Sequence, residues 1–368
     1  MSKKNLCLML AAAVLLTGCS EVSSAPAPAE SAVTAQTTAA DSQSAEAAAA
    51  DTAAENVTEN TEASSETGAA GYEFNPHLYL PILADDVPQE YWDSFHNLCD
   101  ALRAGEASFE CASEDAYKWA TAPAVLNQLF PAAVMQIKAE SGDGTPAYEN
   151  GTGRISYQIP AEEYVERQAQ FEKFVADLLN QYLEPDDDDF EKCLKLYDYM
   201  SVKYVYEDDF VEHKPDGSTY LVITTGTGQC IELGTVYAYL LMQAGVQAME
   251  VECSSEAMAH GWTYLLLNGK GYHSDPTWGL RSEDDPLFLT YFLMTGERRA
   301  DTGCPVDDLM APLLPTYWSD AASVEFTADD TEYLFPKGAY LLSFDEENKT
   351  VRYMLDGEEH TFSYAKAE

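Results

Sequence analysis

A chain of 368 residues, 46% of them hydrophobic, can bury a sizeable core and is long enough for one large domain or two ordinary ones. Its formal net charge of −43, from 63 acidic against 20 basic residues, argues against nucleic-acid binding, because that requires a basic surface to neutralise phosphates. The same charge disfavours electrostatic adhesion to anionic lipid and is typical of a solvated, self-repelling surface.

Residues 1–19 predict an export signal. Lys3 and Lys4 precede an apolar run, Leu6 to Leu16, that is too short to span a bilayer as a helix, which takes about 20 residues. Leu16-Thr17-Gly18-Cys19 follows and resembles a bacterial lipoprotein signal, in which the cysteine is lipidated and becomes the first residue. The resemblance implies a lipid anchor on Cys19 and a location at the bacterial cell surface, on the outer face of the cytoplasmic membrane.

Residues 20–71 predict a disordered acidic linker. Ala, Ser, Thr and Glu dominate this stretch, which contains no Lys or Arg, so it cannot bury enough apolar surface to offset its ordering entropy. Aromatic side chains begin at Tyr72. From there we expect a mainly helical region at residues 72–188, a core at residues 189–300 and a small β region at residues 301–368.

The helical region shows apolar residues at helical spacing. Asp86-Val87-Pro88 is typical of a helix start, and Gly105 can end the helix that follows. Arg154 to Ile159 predicts a short strand, and Ala161 to Leu183 predicts a second helix.

An acidic run, Asp186 to Asp189, suits the start of the next helix. Calcium binding by this run is the other interpretation, but the run lacks the loop pattern of an EF-hand. The apolar face of the helix would comprise Phe190, Cys193, Leu194, Tyr197 and Met200. An extended segment at Tyr204-Val205-Tyr206 and a polar turn at Lys214–Gly217 follow.

A glycine-containing loop, Thr225 to Gln229, ends in Cys230, where an amphipathic helix begins. The helix would bury Leu233, Val236, Tyr237, Leu240, Leu241 and Ala244, and Gly245 would end it. Unpaired N–H groups and partial positive charge at a helix N-terminus favour a thiolate. Cys230 is therefore a candidate nucleophile.

A strand around Val246 to Cys253 precedes a hairpin with Asn268-Gly269 at its turn. Asp275 would lie opposite Trp262 or Tyr264, depending on the loop register, and His260 shares a strand face with both of them. His260 and Asp275 therefore project from the same face in either register. His273 lies two residues before Asp275 and shares its strand parity. Strand spacing alone therefore leaves His273 open as a rival to His260 for the role of the catalytic histidine.

The C-terminal region alternates short β-type runs with turns. Tyr340 to Phe344, Val351 to Leu355 and Thr361 to Tyr364 predict a small antiparallel meander.

Three motifs in this order resemble the transglutaminase-like superfamily: Gly228-Gln229-Cys230 at a helix start, His260-Gly261-Trp262, and Asp275-Pro276-Thr277-Trp278. The resemblance covers roughly Asp189 to Met294. It implies an α+β fold with a papain-like core, between the N-terminal helical region and the C-terminal antiparallel β region. Family members more often have Ala where this chain has Gly261.

The resemblance implies catalysis by Cys230, His260 and Asp275 through a thioester acyl-enzyme, with no metal and no cofactor. Gln229 and Tyr220 are candidates for oxyanion support, and Trp262 and Trp278 for the substrate groove. The expected protein is a cell-surface thiol hydrolase acting on peptide or side-chain amides of a protein or peptide substrate. A crosslinking acyl transferase and a non-catalytic binding module are the alternatives.

The remaining cysteines show no regular spacing and no CxxC pair, which disfavours a disulfide scaffold or a structural zinc site. Apart from Cys7 in the signal, they are Cys99, Cys111, Cys193, Cys253 and Cys304. A single bridge between Cys99 and Cys111 is left open by the sequence.

Overall fold

The computed structural model describes residues 71–134, 137–138, 146–207, 219–254, 259–304, 306–307, 309–315 and 326–365. The predicted signal with Cys19, the predicted linker up to residue 70 and the predicted turn at Lys214–Gly217 lie outside these residues. Within the described ranges, no helix has the length and apolar character needed to cross a bilayer. Helices and small sheets alternate along the chain, which makes the fold α+β as predicted.

The N-terminal region is built on two long helices. The bounds of its helices are α1 (Gln89–Ala104), α2 (Glu114–Ala120), α3 (Pro123–Leu129) and α4 (Ala161–Tyr182), with 3-10 turns at Pro81–Leu83 and Pro131–Ala133. Gly105 ends α1 in the left-handed conformation, at φ 70°, as its position predicted.

Short strands connect these helices. They are β1 (Ser108–Glu110), β2 (Ile137–Lys138), β3 (Tyr148–Glu149), β4 (Thr152–Arg154) and β5 (Ser156–Tyr157). The sheets β1-β4-β3 and β2-β5 are antiparallel. The strand expected at Arg154 to Ile159 is therefore two shorter strands that pair with different partners.

Helix α5 (Asp189–Lys203) begins at the acidic run, as predicted. The Asp188 carboxylate accepts a hydrogen bond from the Glu191 N–H at 3.0 Å, and the Glu191 carboxylate accepts from the Asp188 N–H at 2.8 Å. This reciprocal capping satisfies two N–H groups that the helix start would otherwise leave unpaired. All five predicted apolar residues of α5 are buried.

The core region continues with β6 (Val205–Tyr206), α6 (Thr219–Thr225), β7 (Thr227–Gly228), α7 (Cys230–Gln243), β8 (Ala248–Ser254), β9 (Ala259–Leu267) and β10 (Lys270–Ser274). Strands β8, β9 and β10 form an antiparallel sheet with β9 in the middle. Helix α7 packs directly on β9, because a Cβ on Gly234 would lie only 2.9 Å from the Cα of Trp262.

Helix α7 differs from its predicted amphipathic form. The residues from Leu233 to Gln243 are all buried, including Ala238 and Tyr239 on the side expected to face solvent. A helix enclosed on every side needs no polar face. It is the central helix of the fold.

The hairpin register is the first of the two that the sequence allowed. Lys270 pairs with Leu267, so Asn268 and Gly269 form a two-residue loop, with φ of 52° and 73°. Ser274 pairs with Thr263. Asp275 therefore follows the last paired residue, on the Trp262 side of the hairpin.

Helix α8 (Gly296–Asp301) lies at the end of the core region, and the C-terminal region contains β11 (Tyr340–Asp345), β12 (Thr350–Leu355) and β13 (Glu358–Ser363). The three strands form the predicted antiparallel meander. Tyr364 stacks on Phe190 with ring centroids 4.5 Å apart, and its hydroxyl donates to Glu191 at 2.8 Å. A continuous hydrophobic core includes residues of all three regions.

Candidate active site

His260 and Asp275 form a buried hydrogen-bonded pair. His260 is the second residue of β9, and Asp275 follows the last residue of β10. The distance between His260 Nε2 and Asp275 Oδ2 is 2.7 Å. The other carboxylate oxygen of Asp275 accepts from the N–H groups of Thr277 and Trp278 at 3.0 and 3.2 Å. The turn after β10 thus holds the carboxylate in place.

The protonation state of the pair follows from its surroundings. Burial acts to raise the pKa of Asp275, but the neighbouring His260 and Arg299 and the hydrogen bonds from His260 and the Trp278 N–H hold that pKa below its ordinary value. An ionised carboxylate only accepts, so the hydrogen lies on His260 Nε2. His260 Nδ1 is then the nitrogen available to act as a base.

His273, the rival that strand parity left open, has a different environment. It pairs with Tyr264 on β9, and its Nδ1 accepts a hydrogen bond from Trp262 Nε1 at 3.0 Å. Burial and the nearby Arg299 lower the pKa of His273 to about 3, so the ring is neutral at neutral pH. His273 supports Trp262, whereas His260 contacts Asp275.

Cys230 is the first residue of α7. It is 8% exposed, whereas the other five described cysteines are at most 3% exposed. Those five belong to the hydrophobic core, and Cys230 does not. The Glu232 carboxylate accepts from the Gln229 N–H at 2.8 Å and so caps the start of the helix. The position at a helix N-terminus favours ionisation of the Cys230 thiol.

The residues after Cys230 and His260 lie against each other. A Cβ on Gly261 would be 2.9 Å from the Cα of Ile231 and 2.5 Å from Glu250 Oε1. Only glycine permits this approach without moving backbone. The contact brings the start of α7 next to the start of β9.

Arg299, which the sequence did not single out, contacts the pair from α8. Its Nη1 lies 2.9 Å from Asp275 Oδ2, and its guanidinium carbon lies 4.3 and 4.5 Å from the ring centroids of Trp262 and Trp278. Trp278 is half-buried and stacks on His260. Trp262 is fully buried, so it packs beneath the pair and does not line an exposed groove as expected.

The two candidates for oxyanion support have other contacts. Gln229 Nε2 donates to the Glu207 carbonyl oxygen at 3.1 Å, next to β6. The Tyr220 ring, on α6, packs against Phe171 of α4 with ring centroids 5.1 Å apart. These contacts tie Gln229 to the loop after β6 and Tyr220 to the core.

Cys253 and Cys304 are further thiols near the pair. Cys253 is the cross-strand partner of His260, and Cys304 Sγ accepts from Arg299 Nη2 at 2.6 Å. A hydrogen bond between the two thiols lowers the pKa of Cys253 and raises that of Cys304. Cys99 and Cys111 are both reduced, so the bridge considered for them is not formed. Among the described residues, no His, Cys, Asp and Glu side chains cluster in a group of three or more that could hold a metal ion.

No family model matches the chain, and no curated protein matches it. Among solved structures, the chain is similar to a candidate cysteine protease from Cytophaga hutchinsonii, at 16% identity and a TM-score of 0.26. The match covers 29% of this chain and 38% of that protein. The chain therefore spans well under half the length of that protein.

Proposed function

We propose that the protein is a thiol enzyme with a papain-like core that acts on peptide or side-chain amide bonds. Cys230 is the nucleophile, His260 the base, and Asp275 the carboxylate that orients His260. The observation that carries the proposal is the buried hydrogen bond of 2.7 Å between His260 Nε2 and Asp275 Oδ2, beside a helix that begins at a cysteine. A carboxylate that fixes the tautomer and orientation of an imidazole is characteristic of nucleophilic catalysis.

The reaction has two stages. The Cys230 thiol gives its proton to His260 Nδ1, and the thiolate attacks the amide carbonyl carbon. When the C–N bond breaks, the imidazolium returns this proton to the leaving amine, and a thioester to Cys230 is left. Water then attacks the thioester with His260 as base, releasing a carboxylic acid and restoring the thiol.

The start of α7 supplies one oxyanion donor. The first N–H groups of a helix have no intrahelical acceptor, so the Cys230 N–H can stabilise negative charge on the carbonyl oxygen. Gln229 and Tyr220 are the candidates for a second donor. Gln229 is the nearer of the two in sequence, and its Nε2 donates one of its two hydrogens to the Glu207 carbonyl oxygen.

The proposed setting is the bacterial cell surface, with a lipid on Cys19 as the anchor and a protein or peptide as the substrate. Hydrolysis is preferred over amine transfer because water reaches a thioester unless the site excludes it. Transfer to a lysine amine is the alternative within the same chemistry.

Alkylation with iodoacetamide at neutral pH tests the nucleophile, with modified residues assigned by mass spectrometry. Cys230 should react first, because it begins a helix and lies outside the core. Cys253→Ser is the matched control, because Cys253 is the cross-strand partner of His260, and it should leave the labelling of Cys230 unchanged. Labelling of Cys230 no faster than that of the core cysteines would overturn the assignment.

Incubation with a glutamine-containing protein and a tagged primary amine separates the functional alternatives. A hydrolase releases ammonia or a cleaved peptide, whereas a transferase incorporates the tag. Both activities should disappear in Cys230→Ala. If binding to that protein persists in Cys230→Ala and the parent shows no turnover, the chain is a binding module with this fold.

A further inference from the structure

Arg299 is a fully buried cation beside the candidate site. Moving an ionised side chain out of water costs several kcal/mol unless charge and hydrogen bonds compensate it. Its neighbour on α8, Arg298, is only partly buried and donates to the Phe335 carbonyl oxygen at 3.0 Å. The two adjacent arginines therefore have different environments, and that of Arg299 needs an explanation.

The compensation for Arg299 comes mainly from the site. Its Nη1 lies 2.9 Å from Asp275 Oδ2, and the two indole rings face its guanidinium. Nη2 donates to Cys304 Sγ. Within the described ranges, Nε and Nη1 have no partner in hydrogen-bond geometry. If Arg299 only filled space, an apolar side chain would give equal or greater stability, because buried ion pairs rarely add stability over hydrophobic residues.

We propose that Arg299 is a positioning residue that acts through Asp275, holding the carboxylate against His260 and offsetting part of its negative charge. The inference rests on the proposed function, in which His260 is the base. Asp275 Oδ2 contacts both His260 and Arg299. A change in the Arg299 contact therefore changes the position and the charge of the oxygen that holds the imidazole.

The charge on Arg299 affects proton affinity at His260. Asp275 stabilises the imidazolium, and the guanidinium opposes this effect from the other side of the same oxygen. The other titratable groups that face these three side chains are Tyr197 on α5, Cys253 on β8, His273 on β10, and Tyr291 and Cys304. Cys230, the proposed nucleophile at the start of α7, is a further titratable group. Asp275 and Arg299 carry full charge at neutral pH, and Cys230 and Cys253 add negative charge when they ionise.

The test follows the His260 ring resonance against pH by NMR in the full chain, assigned by its loss in His260→Ala. Arg299→Met should raise the pKa of His260 by about one unit, because Asp275 is no longer offset. Asp275→Asn should shift it in the opposite direction. A role in packing alone would not produce opposite shifts. The His260 titration is measured with Cys230→Ala and Cys253→Ser as background, so that neither thiol titrates together with His260.

Two controls separate charge from shape. Arg299→Lys keeps the charge, so His260 should titrate as in the parent, while Cys230 alkylation slows roughly ten-fold because an ammonium cannot reproduce the planar contacts. Arg298→Met removes the neighbouring charge and should change neither value. Unchanged His260 titration in Arg299→Met would overturn the proposal.

The double variant Asp275→Asn/Arg299→Met tests whether Arg299 acts through Asp275. It removes both charges together and so leaves neither unpaired. If Arg299 positions Asp275, the double variant should be alkylated at Cys230 as fast as Asp275→Asn, whereas a further loss of rate from Arg299→Met contradicts the proposal. Arg299→Lys, which keeps the charge, serves as the comparison with the parent where Arg299→Met does not fold. Failure of the proposed function gives a different result. In that case Cys230 is unreactive in the parent, but Arg299→Met still shifts the pH titration of the His260 resonance.

Discussion

The Trp278 indole lies nearly flat on the His260 imidazole, with 5.1 Å between the ring centroids and an interplanar angle of 21°. The N–H of the same residue donates to Asp275 Oδ1, and its ring contacts the Arg299 guanidinium. One half-buried residue therefore touches His260, Asp275 and Arg299. It separates the hydrogen bond between His260 and Asp275 from solvent, which strengthens that bond.

Replacing Trp278 should weaken the site without disrupting the fold. In Trp278→Ala, water reaches the pair and the imidazole loses its packing partner, so we expect the rate of Cys230 alkylation to fall roughly ten-fold or more. Trp278→Phe keeps a flat ring at the same place and should retain most of the parent rate. Equal rates in Trp278→Ala and the parent would show that the ring does not protect the pair.

The pair between Asp275 and Arg299 should make stability depend on pH in the acid range. The pKa of Asp275 is lowered by folding, so its contribution is present above the ordinary carboxyl pKa of about 3.9 and is lost as pH falls through the lower folded value. In Asp275→Asn this acid-dependent loss should be smaller. At neutral pH, however, the variant should be less stable by about 3–5 kcal/mol, because Arg299 is left unpaired.

Urea unfolding of Asp275→Asn and the parent, at neutral pH and at acid pH, measures both effects. The double variant with Arg299→Met is the control and should recover much of the lost stability at neutral pH. Equal stability of Asp275→Asn and the parent at neutral pH would mean that the ion pair is not needed to compensate the buried Arg299.

His273 should affect stability in a different pH range. Its folded pKa of about 3 lies below the ordinary value of about 6.5, so the unfolded chain binds the proton first. The free energy of unfolding should therefore fall between about pH 6.5 and pH 3, by up to about 1.4 kcal/mol per pH unit. In His273→Gln this slope should flatten, and the pH profile of Cys230 alkylation should match that of the parent. A lost or shifted profile would make His273 part of the catalytic site.

Gly261 should be essential for the contact between α7 and β9. In Gly261→Ala the added methyl group meets Glu250 and the Ile231 backbone, so either the helix start or the strand must move. We expect a stability loss of about 1–3 kcal/mol and slower labelling of Cys230. Gly296→Ala is the control, because its Cβ would meet only ordinary contacts, the nearest at 3.4 Å. Full stability and labelling in Gly261→Ala would contradict the tight packing at the site.

Local patterns predicted the elements that position the site. The helix start at the acidic run Asp186 to Asp189, the helix that begins at Cys230 and the turn at Asn268 and Gly269 each depend on a few neighbouring residues, and each is found where it was predicted. Strand parity likewise placed His260 and Asp275 on one face. The short helix α6 was missed, because no element was predicted between the polar turn at Lys214–Gly217 and the loop that begins at Thr225.

Long-range packing was beyond prediction. Arg299 lies in a short, charged helix with no local signal, and only the tertiary fold brings it between Trp262 and Trp278. Cys304 and Cys253 are close for the same reason. Sequence spacing also could not separate His260 from His273, since the difference lies in which side chain each ring nitrogen contacts.

If His260 holds Cys230 as the thiolate, removing His260 must change the pH dependence of Cys230 alkylation. The second-order rate constant for iodoacetamide at Cys230 is measured across pH in the parent and in His260→Ala, with Cys253→Ser as a background in both. We predict that the parent stays reactive well below the ordinary thiol pKa of about 8.5, and that His260→Ala reacts as an ordinary thiol, at least roughly ten-fold more slowly at about pH 6. Superimposable profiles of the two proteins would show that His260 does not activate Cys230.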